Sequence, residues 1–361
     1  MDRIAANGIT LSFNPDGGTI DRLVIDTADG PLEPLHRAPW VRTGETLPDS
    51  VAPVEKRLAG DFFCAPFGNF SADTPIHGWS ANGNWKAEGQ AEAANGALTA
   101  RYELAQAING ARLAKEITLV DSQPIVYQRH IFSDGAGKIP VAHHAMIHVP
   151  GGAQLSFSPK AFGTTPATAL ETDPARGNSV FAYPQRFETL KAVKQRDGRT
   201  VDASIYPFDT GHEDLSVQVE APGSKLGWSA AVAARDGFVF FAVKDAAKLP
   251  ETILWMSNGG RSYSPWNSRH LAVVGIEEAA TPAHATGWFS DMSALSPIGQ
   301  ATGIEFGGEQ VIRYAFGAIR VPVGWREVVS IEATEELLTL RDIGGGSVTL
   351  PFLGSHFAGL V

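Results

Sequence analysis

Short alternating apolar runs, each cut off after a few residues by glycine, proline or Asn/Asp turns, constrain this chain more than any other feature in it. Ile9, Leu11 and Phe13 alternate before the turn Asn14-Pro15-Asp16-Gly17-Gly18. Ile20, Leu23 and Ile25 follow before Asp29-Gly30-Pro31. The texture continues over 97–104 and 111–132, where two apolar-rich runs flank Asp121-Ser122-Gln123-Pro124 and predict a hairpin or meander. Arg235-Asp236-Gly237, inside 226–244, is an Asp-Gly hairpin signal. Segments 252–257 and 271–276 read as central strands buried on both faces, and 311–316 and 328–331 supply late strands. Helical periodicity is scarce: only 242–248 and 330–338 read as short helices. The 38 Gly and 23 Pro are spread over all 361 residues, and no internal repeat is visible. The expectation is an all-β chain, a large antiparallel β-sandwich occupying 1–361 as a single domain.

Composition removes whole classes of function. A formal net charge of −10 disfavours the phosphate backbones of nucleic acids, which need a basic surface. No basic amphipathic stretch suits an anionic membrane. The single cysteine, Cys64, excludes an intramolecular disulfide framework and a zinc-thiolate cluster. Without an apolar leader segment or an 18-residue apolar run, the expected location is cytoplasmic. Phosphate-loop, dinucleotide, zinc-protease and nucleophile-elbow words are missing.

Four stretches carry chemistry. In 61–85, Asn69, Asn82 and Asn84 crowd a loop-like composition with His77, and their amides suit sugar hydroxyls. Trp79 and Trp85 could stack on a pyranose, or serve as core aromatics capping a polar turn. In 141–150, a strand would put His144 and His148 on one face and His143 on the other. Same-face strand residues four apart are separated by about 13 Å, too far for easy joint metal ligation, so no metal is expected there, and no motif calls for a cofactor. In 253–281, a polar-aromatic loop with Arg261, Tyr263, Trp266 and Arg269 separates two apolar strands, the second running into Glu277-Glu278. A carboxylate directly after a buried run needs a partner or a function, unless it has reached solvent. Adjacent strand residues point oppositely, so at most one of the two faces a cleft. In 206–217, Asp209, His212, Glu213 and Asp214 read as a turn before a strand, solvated or hydrogen-bonding a ligand.

In this order the words resemble the aldose 1-epimerase (galactose mutarotase) superfamily. Phe67-Gly68-Asn69, His77-Gly78 and Trp85 stand where that family has its loop, its first histidine and a following aromatic. His143-His144 falls at its second-histidine strand, and Gly275-Ile276-Glu277-Glu278 at its catalytic glutamate. The chain departs from the pattern at Asn69-Phe70, where the family carries a loop arginine, and at Ala279, where it carries a nearby glutamine.

The resemblance implies a galactose mutarotase-like sandwich that interconverts sugar anomers by acid/base catalysis. Glu277 would be the base, His144 the acid, and His77 the group orienting the ring oxygen. Asn69, Trp79, Asn82, Trp85 and Trp266 would contact the sugar, with Asp209 or Asp214 as the hydroxyl-binding aspartate. Arg261 or Arg269 could hold an anionic substituent, making the substrate an acidic or modified sugar, or could be a salt-bridge partner. The partner is then a small carbohydrate, and the chain a monomer or homodimer. Two other readings stay open: a non-catalytic carbohydrate-binding protein on the same fold, and a lyase or glycoside-processing enzyme using Tyr263 between the two arginines.

Overall fold

The computed structural model describes residues 1–361 except Ala94. Two large sheets face each other, and every strand ladder in them is antiparallel. The nine-stranded sheet is centred on Leu226–Ala233, Phe238–Asp245, Gln310–Arg320 and Ile125–Asp134. The eight-stranded sheet is centred on His212–Glu220, Glu251–Asn258 and Val273–Ala280, and continues to Val141–His143 and Phe63–Cys64. An N-terminal sheet of Asp2–Ala6, Ile9–Asn14 and Thr19–Ile25 and a C-terminal sheet of Val328–Ala333, Leu337–Asp342 and Ser347–Pro351 flank them. No helix among the described residues is long and apolar enough to cross a membrane.

Alternation sorts the side chains into three packed layers. Leu254, Met256, Val274 and Ile276 point between the two large sheets, against Phe240, Ala242, Tyr314 and Phe316. Trp228, Val232, Phe241 and Val243 point the other way, and the C-terminal sheet covers them with Leu338 and Leu340. Val217, Ile253, Trp255 and Val273, on the far face of the eight-stranded sheet, pack with Trp40, Phe62 and Trp266. Glu251–Asn258 and Val273–Ala280 are buried at every residue because both faces are covered, as the apolar run 252–257 predicts; the second strand starts two residues later than the run 271–276, with Leu271 exposed.

Neither expected helix forms. Residues 242–245 end the strand Phe238–Asp245 in the middle of the nine-stranded sheet. Ala and Lys favour a helix there, but cross-strand packing overrides propensity. Residues 330–338 instead form the hairpin between Val328–Ala333 and Leu337–Asp342, closed by Thr334 N–H donating to the Leu337 carbonyl at 2.8 Å.

Candidate active site

Strand register places the central pair. The strand Val273–Ala280 pairs on one side with Glu251–Asn258, putting Trp255 opposite Gly275 and Ile253 opposite Glu277. On its other side Ala142 lies opposite Ala279 and Ala145 opposite Ile276, a register that sets His144 across from Glu277. His144 sits at the break between Val141–His143 and Ala145–His148. Its N–H donates to the Phe62 carbonyl at 2.9 Å and to Asp61 Oδ1 at 3.2 Å. His144 Nε2 and Glu277 Oε1 are 3.2 Å apart. Glu277 therefore lies within a strand and not at its end, because the ladder continues to Ala280.

Glycines make room for this geometry. Glu277 shares a face with Gly275, two residues back, and a Cβ on Gly275 would lie 3.1 Å from Glu277 Oε1. Gly78 has φ of 72°, and a Cβ there would fall 2.0 Å from the Ala65 carbonyl oxygen. Only glycine allows that approach, which seats His77 against the strand Phe63–Cys64. His77 N–H donates to the Gly68 carbonyl at 3.0 Å, and Gly68 N–H points at His77 Nδ1 at 3.4 Å. Nδ1 is then the acceptor, leaving the Nε2 proton free to donate. The His77 and His144 rings meet edge to face at 5.4 Å, and Phe62 stacks on His144 at 4.5 Å.

These side chains line a cavity of about 430 Å³ together with Phe67, Asn69, Trp255, Arg261, Trp266 and Trp288. Burial raises the Glu277 carboxyl well above its ordinary range. It also holds the His144 imidazole well below its own, with His77 adding to the effect. Burial, and secondarily the charge of Arg261, keep His77 at about 4. Each group is thus pushed toward its neutral form. Arg261 lies 4.2 Å above the Trp266 ring, and its Nη2 is 2.7 Å from Glu213 Oε1. Trp255 Nε1 donates to the same oxygen at 2.5 Å.

Not every expected residue reaches the cavity. Trp85 is core, its Nε1 donating to the Ser80 carbonyl at 2.9 Å, and Trp79 packs against the same intersheet core. Asn82 ties the Pro53–Lys56 turn to the 76–78 loop, accepting from Val54 N–H and donating to the Ile76 and Gly78 carbonyls. Asp214 turns to the other face of its strand and accepts from Val180 N–H, Phe181 N–H and the Tyr183 hydroxyl. Asp209 is in an exposed turn and accepts from Thr210 N–H. Arg269 forms a two-pronged pair with Glu45 at 2.7 Å on each arm. Tyr263 carries the Arg176 guanidinium on its ring at 3.9 Å. Strand alternation explains Asp214: His212–Glu220 starts earlier than the sequence suggests, so Glu213, Leu215 and Val217 face the cavity side. The same alternation, extended from Ile253, finds Trp255. Trp288 carried no signal in the sequence.

No protein-family model matches the chain, and no curated protein matches it. Solved structures do. A galactose mutarotase-like protein from Clostridium acetobutylicum superposes with a TM-score of 0.54 at 12% identity, over 88% of this chain and 95% of that one. A galactose mutarotase related enzyme from Lactobacillus acidophilus gives 0.53 at 10%, over 89% and 99%. A candidate aldose 1-epimerase from Klebsiella pneumoniae gives 0.59 at 14%, over 87% and 77%. At these identities the likeness is one of fold.

Proposed function

We propose that this chain, which has the galactose mutarotase-like fold, is an aldose 1-epimerase-like enzyme acting on the anomeric carbon of a free sugar. One observation supports this above the rest: His144 Nε2 and Glu277 Oε1 stand 3.2 Å apart on the floor of an aromatic-lined cavity. Mutarotation needs a base for the C1 hydroxyl and an acid for the ring oxygen. Two groups holding one proton between them supply both. With the proton on His144, Glu277 takes the C1 hydroxyl proton while His144 protonates the ring oxygen, and the ring opens to the aldehyde. The proton then rests on Glu277 beside a neutral His144, the form that burial favours. After rotation about the C1–C2 bond, ring closure on the other face returns it.

His77, kept neutral, donates a fixed hydrogen bond to the ring oxygen or a neighbouring hydroxyl. Trp255 and Trp266 give the sugar its apolar walls. Arg261 has spare guanidinium donors beyond its Glu213 contact and faces the cavity, so an acidic or otherwise modified sugar fits better than a plain hexose. The test is anomer exchange by NMR across neutral sugars, uronic acids and sugar phosphates. Exchange above the buffer rate for at least one of them is expected, and none for any overturns the reading.

A further inference from the structure

The cavity is graded in exposure from floor to rim. Glu277, His144 and Trp255 are 2%, 4% and 5% exposed, whereas Trp288 and Leu170 are 53% and 43% exposed on the same cavity. Trp288 is the only aromatic side chain among the large apolar ones left exposed on the described residues. An indole half in water at a pocket mouth is a stacking surface without a partner.

This rim is held in place. Gly287, at φ of 78°, accepts from Ala167 N–H at 2.9 Å, which ties the loop of Trp288 to the loop of Leu170. A Cβ on Gly287 would lie 2.9 Å from that nitrogen. Trp288 N–H is bonded to Thr286 Oγ1 at 3.2 Å, and Phe289 packs edge-on against Phe67 at 5.2 Å.

We propose that Trp288 and Leu170 form a second sugar subsite, and that the ligand is a reducing disaccharide or longer reducing oligosaccharide. The inference rests on the epimerase reading for its orientation. Chemistry at the floor needs a free C1 hydroxyl, so whatever reaches the rim is attached through another carbon of the first ring. An aromatic or lipid aglycone on C1 is thereby excluded as substrate. The rim offers Asn69, Ser290 and the Glu55 carboxylate, and Arg261 is the only Lys or Arg among the cavity-lining residues. An anionic group at the rim would thus face Glu55 with no cation of its own. A second pyranose presents a C–H face to the indole and hydroxyls to these polar groups.

The experiment is calorimetric titration of glucose against maltose and cellobiose, and of galacturonic acid against a reducing disaccharide of a neutral hexose on galacturonic acid, on the full chain and on Trp288→Ala. At least one disaccharide should bind roughly tenfold more tightly than its monosaccharide. Trp288→Ala should erase that advantage and leave monosaccharide binding unchanged. Equal affinity within every pair, or equal weakening of both members by Trp288→Ala, overturns the subsite. Anomer exchange of the same sugars is followed separately by NMR. A Trp288-dependent disaccharide preference without exchange keeps the subsite and removes the catalytic reading; exchange without the preference does the reverse.

Discussion

Glu277 and Glu278 are neighbours on one strand, 2% and 0% exposed, yet they live in different chemistries. Glu278 points between the sheets, where it is paired with Lys244 and hydrogen-bonded by Ser229 and by Thr252 Oγ1, the last at 2.7 Å. Lys244 also reaches the Glu251 carbonyl at 2.6 Å, and Glu220 lies 3.3 Å away. Glu277 points into the cavity, and among the described residues its one ion-pair partner is the His144 imidazole. A buried carboxylate with a lysine and two hydroxyls has its hydrogen-bonding capacity filled by the protein. One with a single imidazole beside it keeps acceptor capacity for a ligand.

Swapping each carboxyl for an amide separates the two roles. Glu277→Gln should cut anomer exchange by about 10²–10⁴-fold without lowering stability at neutral pH. Glu278→Gln should leave exchange per folded molecule near the parent value. It also leaves Lys244 short of its closest partner, at a cost of roughly 3 kcal/mol in urea unfolding. If both variants lose activity and stability in parallel, the contrast between the two faces is lost.

Gly275→Ala probes the cavity side without touching a titratable group. The new methyl has to displace the Glu277 carboxyl, 3.1 Å away, or Trp255 Cβ, 3.2 Å away. A misplacement on the ångström scale costs up to about 10²-fold, so kcat should fall while the unfolding midpoint moves little. An unchanged kcat would show that the carboxyl position is not set by Gly275.

The pH dependence of stability gives a smaller effect with a definite sign. The Glu277 carboxyl ordinarily titrates at 4.5 and is raised well above that by burial. The folded chain holds this proton more tightly than the unfolded chain. The contribution is complete below 4.5 and is lost as pH rises through the folded value. His144 runs the other way: ordinarily 6.5 and held well below it, it contributes above 6.5 and loses that contribution as pH falls. Glu277→Gln removes only the first behaviour. Its stability advantage over the parent should therefore grow above pH 4.5, by at most about 1.4 kcal/mol per pH unit. A constant difference across denaturation curves would mean that the carboxyl is not raised.

Alternation and turn residues made the sandwich legible because both are local properties of the chain. The Ala/Lys-rich 242–248 and the Glu-rich 330–338 misled because sheet packing overrode propensity. The opposed faces of Glu277 and Glu278 follow from strand geometry alone. The convergence of His77, His144 and Glu277 on one cavity needed the order of three distant words, since no local rule brings Gly78 under Ala65. Trp79, Asn82 and Trp85 have the composition of a sugar site, yet the two indoles pack into the core and Asn82 braces its own loop. Composition registers a polar loop and not the direction of its side chains. Glu213 was read as part of a turn before a strand, whereas the strand already begins at His212, so the alternation that turns Glu213 to the cavity side and Asp214 away from it was not applied there.

The two arginines repeat the contrast of the two glutamates at the surface of the site. Arg269 spends both guanidinium arms on Glu45, outside the cavity. Arg261 makes one contact with Glu213 and lies along the Trp266 ring inside it. Arg269→Gln should leave KM for every sugar unchanged. Arg261→Gln should raise KM for an acidic sugar about tenfold, the loss of a charge-assisted hydrogen bond, and change it little for a neutral one. The variant also leaves Glu213 without its cation, in a position where burial already raises that carboxyl. Arg261→Lys therefore serves as the companion: it restores the charge beside Glu213 but not the planar fork. Recovery of stability without recovery of acidic-sugar KM would assign Arg261 to ligand recognition. Recovery of both would leave only its charge in that role, and a KM unmoved in Arg261→Gln would make it a structural partner of Glu213, as Arg269 is of Glu45.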